Sequence, residues 1–90
     1  MSTYRDFKDR LFSCLGQVIA LRRKRLGMSQ EDLADAADVD RAFISSIENG
    51  KRNPSFGLIA RIAMGLKMRF ARLVANCEQC VEGSDERTQQ

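Results

Sequence analysis

Between positions 41 and 52 the chain gathers Arg41, Ser45, Ser46, Asn49, Lys51 and Arg52, with Glu48 as the only carboxylate among them. Arg41 carries a planar fork of donors that fits two adjacent acceptors, as on a phosphate or the edge of a heterocycle. The hydroxyls of Ser45 and Ser46 can donate or accept while occupying little space. Ala42 and Phe43 add apolar surface, and Lys51 and Arg52 add cations. Such a set grips a ligand; it does not break bonds. The 90 residues contain no histidine, so a Ser-His-Asp triad, a Cys-His pair and a histidine-containing zinc site are all excluded within one chain. The glycines are scattered singly, so there is no Gly-rich phosphate loop. No catalytic residues, no cofactor and no metal are expected.

The elements that must position these groups read as helices. Only Pro54 interrupts the chain as a proline, and no segment alternates as a strand does, so the fold class is all-α. Tyr4, Phe7, Leu11, Cys14, Leu15, Val18 and Ile19 fall on one helical stripe. Gly16 lies inside it and is a place where the helix could bend or divide, at about 1 kcal/mol relative to Ala. The run Arg22–Arg25 complements a helix C-terminus, and Gly27 supplies its cap. Ser29 and Asp32 have the spacing of a capping box. The second helix buries Leu33, Ala34 and Ala37, with Val39 following. Asp40 starts a third helix whose inward residues are Ile44 and Ile47. Asn49-Gly50 ends it, and Ser55 caps a fourth helix with Leu58, Ile59, Ile62, Ala63 and Leu66 on its apolar face. A fifth carries Phe70, Leu73, Val74 and Cys77. From Val81 the composition turns polar, too poor in apolar residues to offset ordering entropy. The expected organisation is a helical arm at 1–14, a compact domain at 15–80 and a disordered tail at 81–90.

Ninety residues hold one small domain, and the net charge of +3 matters only if it is concentrated on one face. The first ten residues carry charges where a signal peptide would be apolar, and no run approaches the ~20 residues of a membrane span. A cytoplasmic protein without membrane contact is expected, its three cysteines, Cys14, Cys77 and Cys80, reduced.

Only a tight turn fits between Ala37 and Asp40. Two short helices joined that way cross steeply, as in a helix-turn-helix. The first can lie across a phosphate backbone while the second enters the major groove N-terminus first. Arg41 could then read a guanine edge or bind a phosphate, Ala42 and Phe43 could touch thymine methyls, and Ser45 and Ser46 would let the helix approach closely.

The segments LGQVIALRRKRLGMSQEDLADAADV, ISSIENGKRNPS and LIARIAMGL extend this into a resemblance. Residues from about 15 to 74, two-thirds of the chain, resemble the five-helix lambda-repressor-like domain of the Cro/C1, or xenobiotic-response-element, regulators. Within that group, VDRAFISSIENGKRN is similar to the recognition region of restriction–modification controller proteins. The resemblance implies a sequence-specific transcriptional regulator, bacterial or phage-encoded and nucleoid-associated, with double-stranded DNA as partner. It implies base reading by Arg41, Ala42, Ser45 and Ser46, and backbone or groove contact by Ser29, Gln30, Phe43, Asn49, Lys51 and Arg52. It also implies a buried ion pair between Arg23 and Glu48. Lys67 and Arg69 depart from it, standing where a glycine and a capping serine are common.

One recognition helix spans few base pairs, so a symmetric homodimer on a palindromic operator is expected. Its interface is assigned to Met68, Phe70, Leu73, Val74 and Cys77, residues too apolar for so small a core to absorb. No small-molecule effector is evident. Two alternatives remain at this point: a protein-interaction module on the same fold, and a regulator that senses oxidants or metal through Cys77 and Cys80.

Overall fold

A computed structural model describes the backbone of residues 3–89 and the side chains of residues 3–83. Five helices follow in order: α1 Tyr4–Arg25, α2 Gln30–Ala37, α3 Arg41–Glu48, α4 Phe56–Gly65 and α5 Phe70–Gln89. Capping side chains set several starts. Thr3 and Asp6 form a reciprocal box at α1, Ser29 and Asp32 do so at α2, and Ser55 accepts from the Leu58 amide at α4. Asp40 stands at the expected N-cap of α3, but its carboxylate makes no capping bond. The Asp40 carbonyl instead accepts from the amides of Phe43 and Ile44 at 3.0 and 3.3 Å.

The core forms where the four shorter apolar faces meet α1. Ile19, Leu33, Ile44, Ile47, Ile62, Leu66 and Leu73 are completely or almost completely buried. Their apolar area removed from water supplies the main favourable term in folding. Helix α1 is a single helix through Gly16, so the residues of the expected arm are its first turns. Gly16 is needed for proximity. A Cβ there would stand 2.5 Å from the carbonyl oxygens of both Ile47 and Glu48. The bare backbone lets the end of α3 rest directly on α1.

Helices α1 and α5 run antiparallel and share the most extensive packing in the molecule. Arg22 meets the turn before α5, and Cys14 meets Cys80 two turns or more further on. Three expectations are corrected here. The chain does not lose its structure at Val81: α5 continues to Gln89, and Val81 is buried beside the first turns of α1. Those turns give α5 an apolar wall that a composition argument does not see. Side chains from 84 onward, and Gln90 altogether, lie outside the described residues. Second, Cys14 and Cys80 form a disulfide across 66 positions of sequence, with Cα atoms 5.7 Å apart, so they are not reduced thiols. Third, Leu73 and Cys77 belong to the protomer's own core, at 0% and 4% exposure, and are not free to form a dimer face. No helix among the described residues is long and apolar enough to cross a membrane.

Candidate nucleic-acid interface

The turn between α2 and α3 consists of Asp38, Val39 and Asp40. Asp38 adopts the left-handed conformation at φ 58°, which aspartate tolerates better than most residues. The Val39 amide donates back to the Ala34 carbonyl at 2.9 Å. This closes α2 and redirects the chain within three residues. Val39 packs half-buried on the core, and Ile44 and Ile47 fix the rotation of α3 about its axis.

That rotation leaves Arg41 and Ala42 exposed and Ser45 and Ser46 half-buried along one open side of α3. Phe43 is half-buried at the margin of the core, and the Arg52 guanidinium lies over its ring at 4.8 Å from the centroid. The contact is of cation–π type and tethers the loop after α3 to the helix. The Asn49 side-chain amide donates to the Ser45 carbonyl at 3.0 Å, finishing the end of α3. Gly50 follows at φ 73°, in the left-handed region that favours glycine, and Lys51 projects into solvent.

Behind this surface lies a connected polar chain. Arg23, 9% exposed, donates to both oxygens of Glu48: Nε to Oε2 at 2.7 Å and Nη2 to Oε1 at 3.0 Å. Its third donor, Nη1, reaches the Met28 carbonyl at 2.8 Å. The hydrogen bonds to Glu48 hold the Arg23 guanidinium above its ordinary pKa, against the opposing effect of burial. Glu48 Oε1 also accepts from Gln30 Nε2 at 3.0 Å, and Gln30 Oε1 accepts a long 3.4 Å bond from Arg41 Nη1. A buried ion pair joining α1 to α3 thus extends through the first residue of α2 to the first residue of α3. At the start of α2, hydrogen bonds from Ser29, its backbone amide first, lower the pKa of Asp32. The carboxylate therefore stays ionised at the positive end of the helix.

The residues singled out from the sequence on α2, α3 and the following loop therefore come together on one side. Met68, Phe70 and Val74 do not join them; they lie by the α4–α5 turn and along α5. Sequence reasoning missed Arg22, whose Nε and Nη2 donate to the carbonyls of Leu66 and Lys67 at 3.0 and 3.2 Å. It missed the role of Gly16 as well. The positive φ of 54° at Lys67 accounts for the glycine that the resemblance places there.

This arrangement defines a class. The profile of the helix-turn-helix family matches residues 19–73, and the chain belongs to that family of DNA-binding transcription regulators. Within it, the chain is 41% identical over 59 residues to the control protein C.MunI of Mycoplasma sp, covering 66% of this chain and 80% of that protein. It is 38% identical over 68 residues to the control protein C.BamHI of Bacillus amyloliquefaciens, covering 70% and 84%. Among solved structures it is similar to the restriction-modification controller protein C.Esp1396I, a tetramer in complex with its natural 35 base-pair operator. The TM-score is 0.73 at 32% identity, over 79% of this chain and 93% of that one.

Proposed function

We propose that this protein is the controller of a restriction–modification system, acting in the cytoplasm as a homodimer on a palindromic operator. Helix α3 enters the major groove N-terminus first. Arg41 reads a base edge, Ala42, Ser45 and Ser46 allow close approach and complete the contact, and Gln30, Asn49 and Lys51 hold the phosphate backbone. Ser29 contributes through its place at the N-terminus of α2, where amides and helix dipole favour an anion. Phe43 and Arg52 act together at the groove wall.

The observation that carries this reading is the hydrogen-bonded chain Arg23–Glu48–Gln30–Arg41. It links Arg41, the residue proposed to read a base, through Gln30 to the buried ion pair, which favours a defined register. The similarity to C.MunI, C.BamHI and C.Esp1396I supports the controller role. The dimer face is redrawn: Phe56, 75% exposed, stacks edge-on against Phe70 at 4.8 Å, and Val74 continues the same apolar surface. An exposed aromatic seated on a half-buried one, with the exposed Val74 one turn further on, suits a symmetric contact.

The test is selection of binding sites from a random duplex library at fixed moderate salt. An enriched inverted repeat, its half-sites about one helical turn (~34 Å) or a multiple apart, is the expected outcome. Failure to enrich any sequence, with only weak salt-sensitive binding left, would overturn the reading.

A further inference from the structure

A second concentration of positive charge lies away from the recognition helix. A cleft of about 690 Å³ runs between the end of α1, the α4–α5 turn and the first turns of α5. Arg22, Arg25, Lys67, Arg69 and Arg72 line it, and no carboxylate does. A third of the chain's 15 cations thus face one cleft in a protein whose net charge is only +3. Among the described residues, Arg25, Lys67, Arg69 and Arg72 have no carboxylate within ion-pair distance.

Two features make this more than a basic surface. Arg22 is fixed in place by its bonds to the carbonyls of Leu66 and Lys67, leaving Nη1 as a further donor. Helix α5 begins after Arg69, a side chain with no acceptor, so no side chain at that position caps its first amides. A fixed guanidinium, amides without a side-chain cap and four cations with no carboxylate partner among the described residues all favour a ligand of high negative charge. Like charges this close repel one another at low ionic strength, and a single monovalent anion would neutralise little of that repulsion. Val18, Leu21 and Met68 add apolar lining to the cleft.

We infer that this cleft binds a polyphosphate anion, at a site separate from the DNA-reading face. Helix α1 keeps the two apart: Arg23 faces Glu48 and α3, while Arg22, about 100° round the helix, faces the α4–α5 turn. The anion is either a nucleoside polyphosphate, its base against the apolar lining, or inorganic polyphosphate held by charge alone.

The experiment is equilibrium binding of magnesium-free ATP and of inorganic tripolyphosphate to the full chain at low ionic strength. Three proteins are compared: the unaltered chain, Arg69→Ala with Arg72→Ala, and Arg41→Ala with Lys51→Ala. Saturable binding is expected with one ligand per protomer. It should weaken about tenfold or more when Arg69 and Arg72 are truncated, because two charge-assisted contacts are lost. It should be unchanged when Arg41 and Lys51 are truncated. Tighter binding of ATP than of tripolyphosphate would assign the site to nucleotides; equal binding would assign it to inorganic polyphosphate.

Absence of saturable binding for both anions overturns the inference. So does equal weakening by the two double variants, which would mean diffuse attraction. If the Arg69/Arg72 variant instead weakens duplex DNA while neither anion binds, the cleft is part of the DNA contact and the inference fails. Should that variant unfold, Arg25→Gln with Arg72→Gln serves the same comparison. Site selection on DNA remains an independent readout of the recognition face.

Discussion

Arg23 and Glu48 form a two-point ion pair, 2.7 and 3.0 Å, with the two side chains only 10% and 7% exposed. Burying it brings little net stability, but removing one partner strands the other charge. Glu48→Ala is therefore expected to destabilise the protein by about 3–5 kcal/mol. Chemical denaturation checks this, and an unchanged midpoint would mean that Arg23 finds water instead.

Gly16→Ala should also destabilise, by about 1–3 kcal/mol, although alanine is the better helix former by about 1 kcal/mol. The Cβ would meet two backbone oxygens at the end of α3, and backbone cannot rotate away. A melting temperature equal to or above that of the unaltered protein would show that α1 and α3 can separate without loss.

Arg41→Ala and Lys51→Ala should weaken DNA binding in different ways. The first should relax specificity by about 1–3 kcal/mol at one base pair in each half-site. The second should weaken all sequences alike and reduce the salt slope by about one. Competition assays on operator variants separate the two, and identical profiles would refute the division between base reading and backbone positioning.

The Cys14–Cys80 bond closes a loop of 66 positions. The chain-entropy relation puts its contribution at roughly 4 kcal/mol. Reduction with dithiothreitol should lower the denaturation midpoint accordingly and leave a Cys80→Ser variant unaffected. Equal sensitivity of the two proteins would assign the effect elsewhere.

Cys77 is buried among apolar side chains, and desolvation pushes its thiol from 9.0 up to about 11. Between these values the unfolded chain has lost the proton that the folded chain still holds. Stability therefore falls as pH rises from 9 towards 11 and is unaffected by this group at lower pH. A Cys77→Ala variant should show a shallower decline over that interval. Parallel curves would exclude Cys77 as the source.

Much of the helix-turn-helix was legible in the sequence because its signals are local. Ser29 and Asp32 three apart announce a capped start, Ile44 and Ile47 set the rotation of α3, and Asn49-Gly50 marks its end. Glu48 beside Ile47 on a core-facing side demands a partner, and the family pattern names Arg23. These inferences need only helix period and the cost of burying polar groups.

What the tertiary structure decided concerns α1 against α5. Composition alone marks Val81 as the start of a tail, assigns Leu73 and Cys77 to a dimer face and leaves Cys14 unpaired. Each outcome depends on α5 running antiparallel to α1, which supplies a wall for Val81, a core for Leu73 and Cys77, and a partner for Cys80. The same alignment brings Arg22 and Arg25 opposite Lys67, Arg69 and Arg72. Sequence spacing specifies which residues share a face of one helix; which faces of two distant helices meet is set by packing, and no local pattern encodes it.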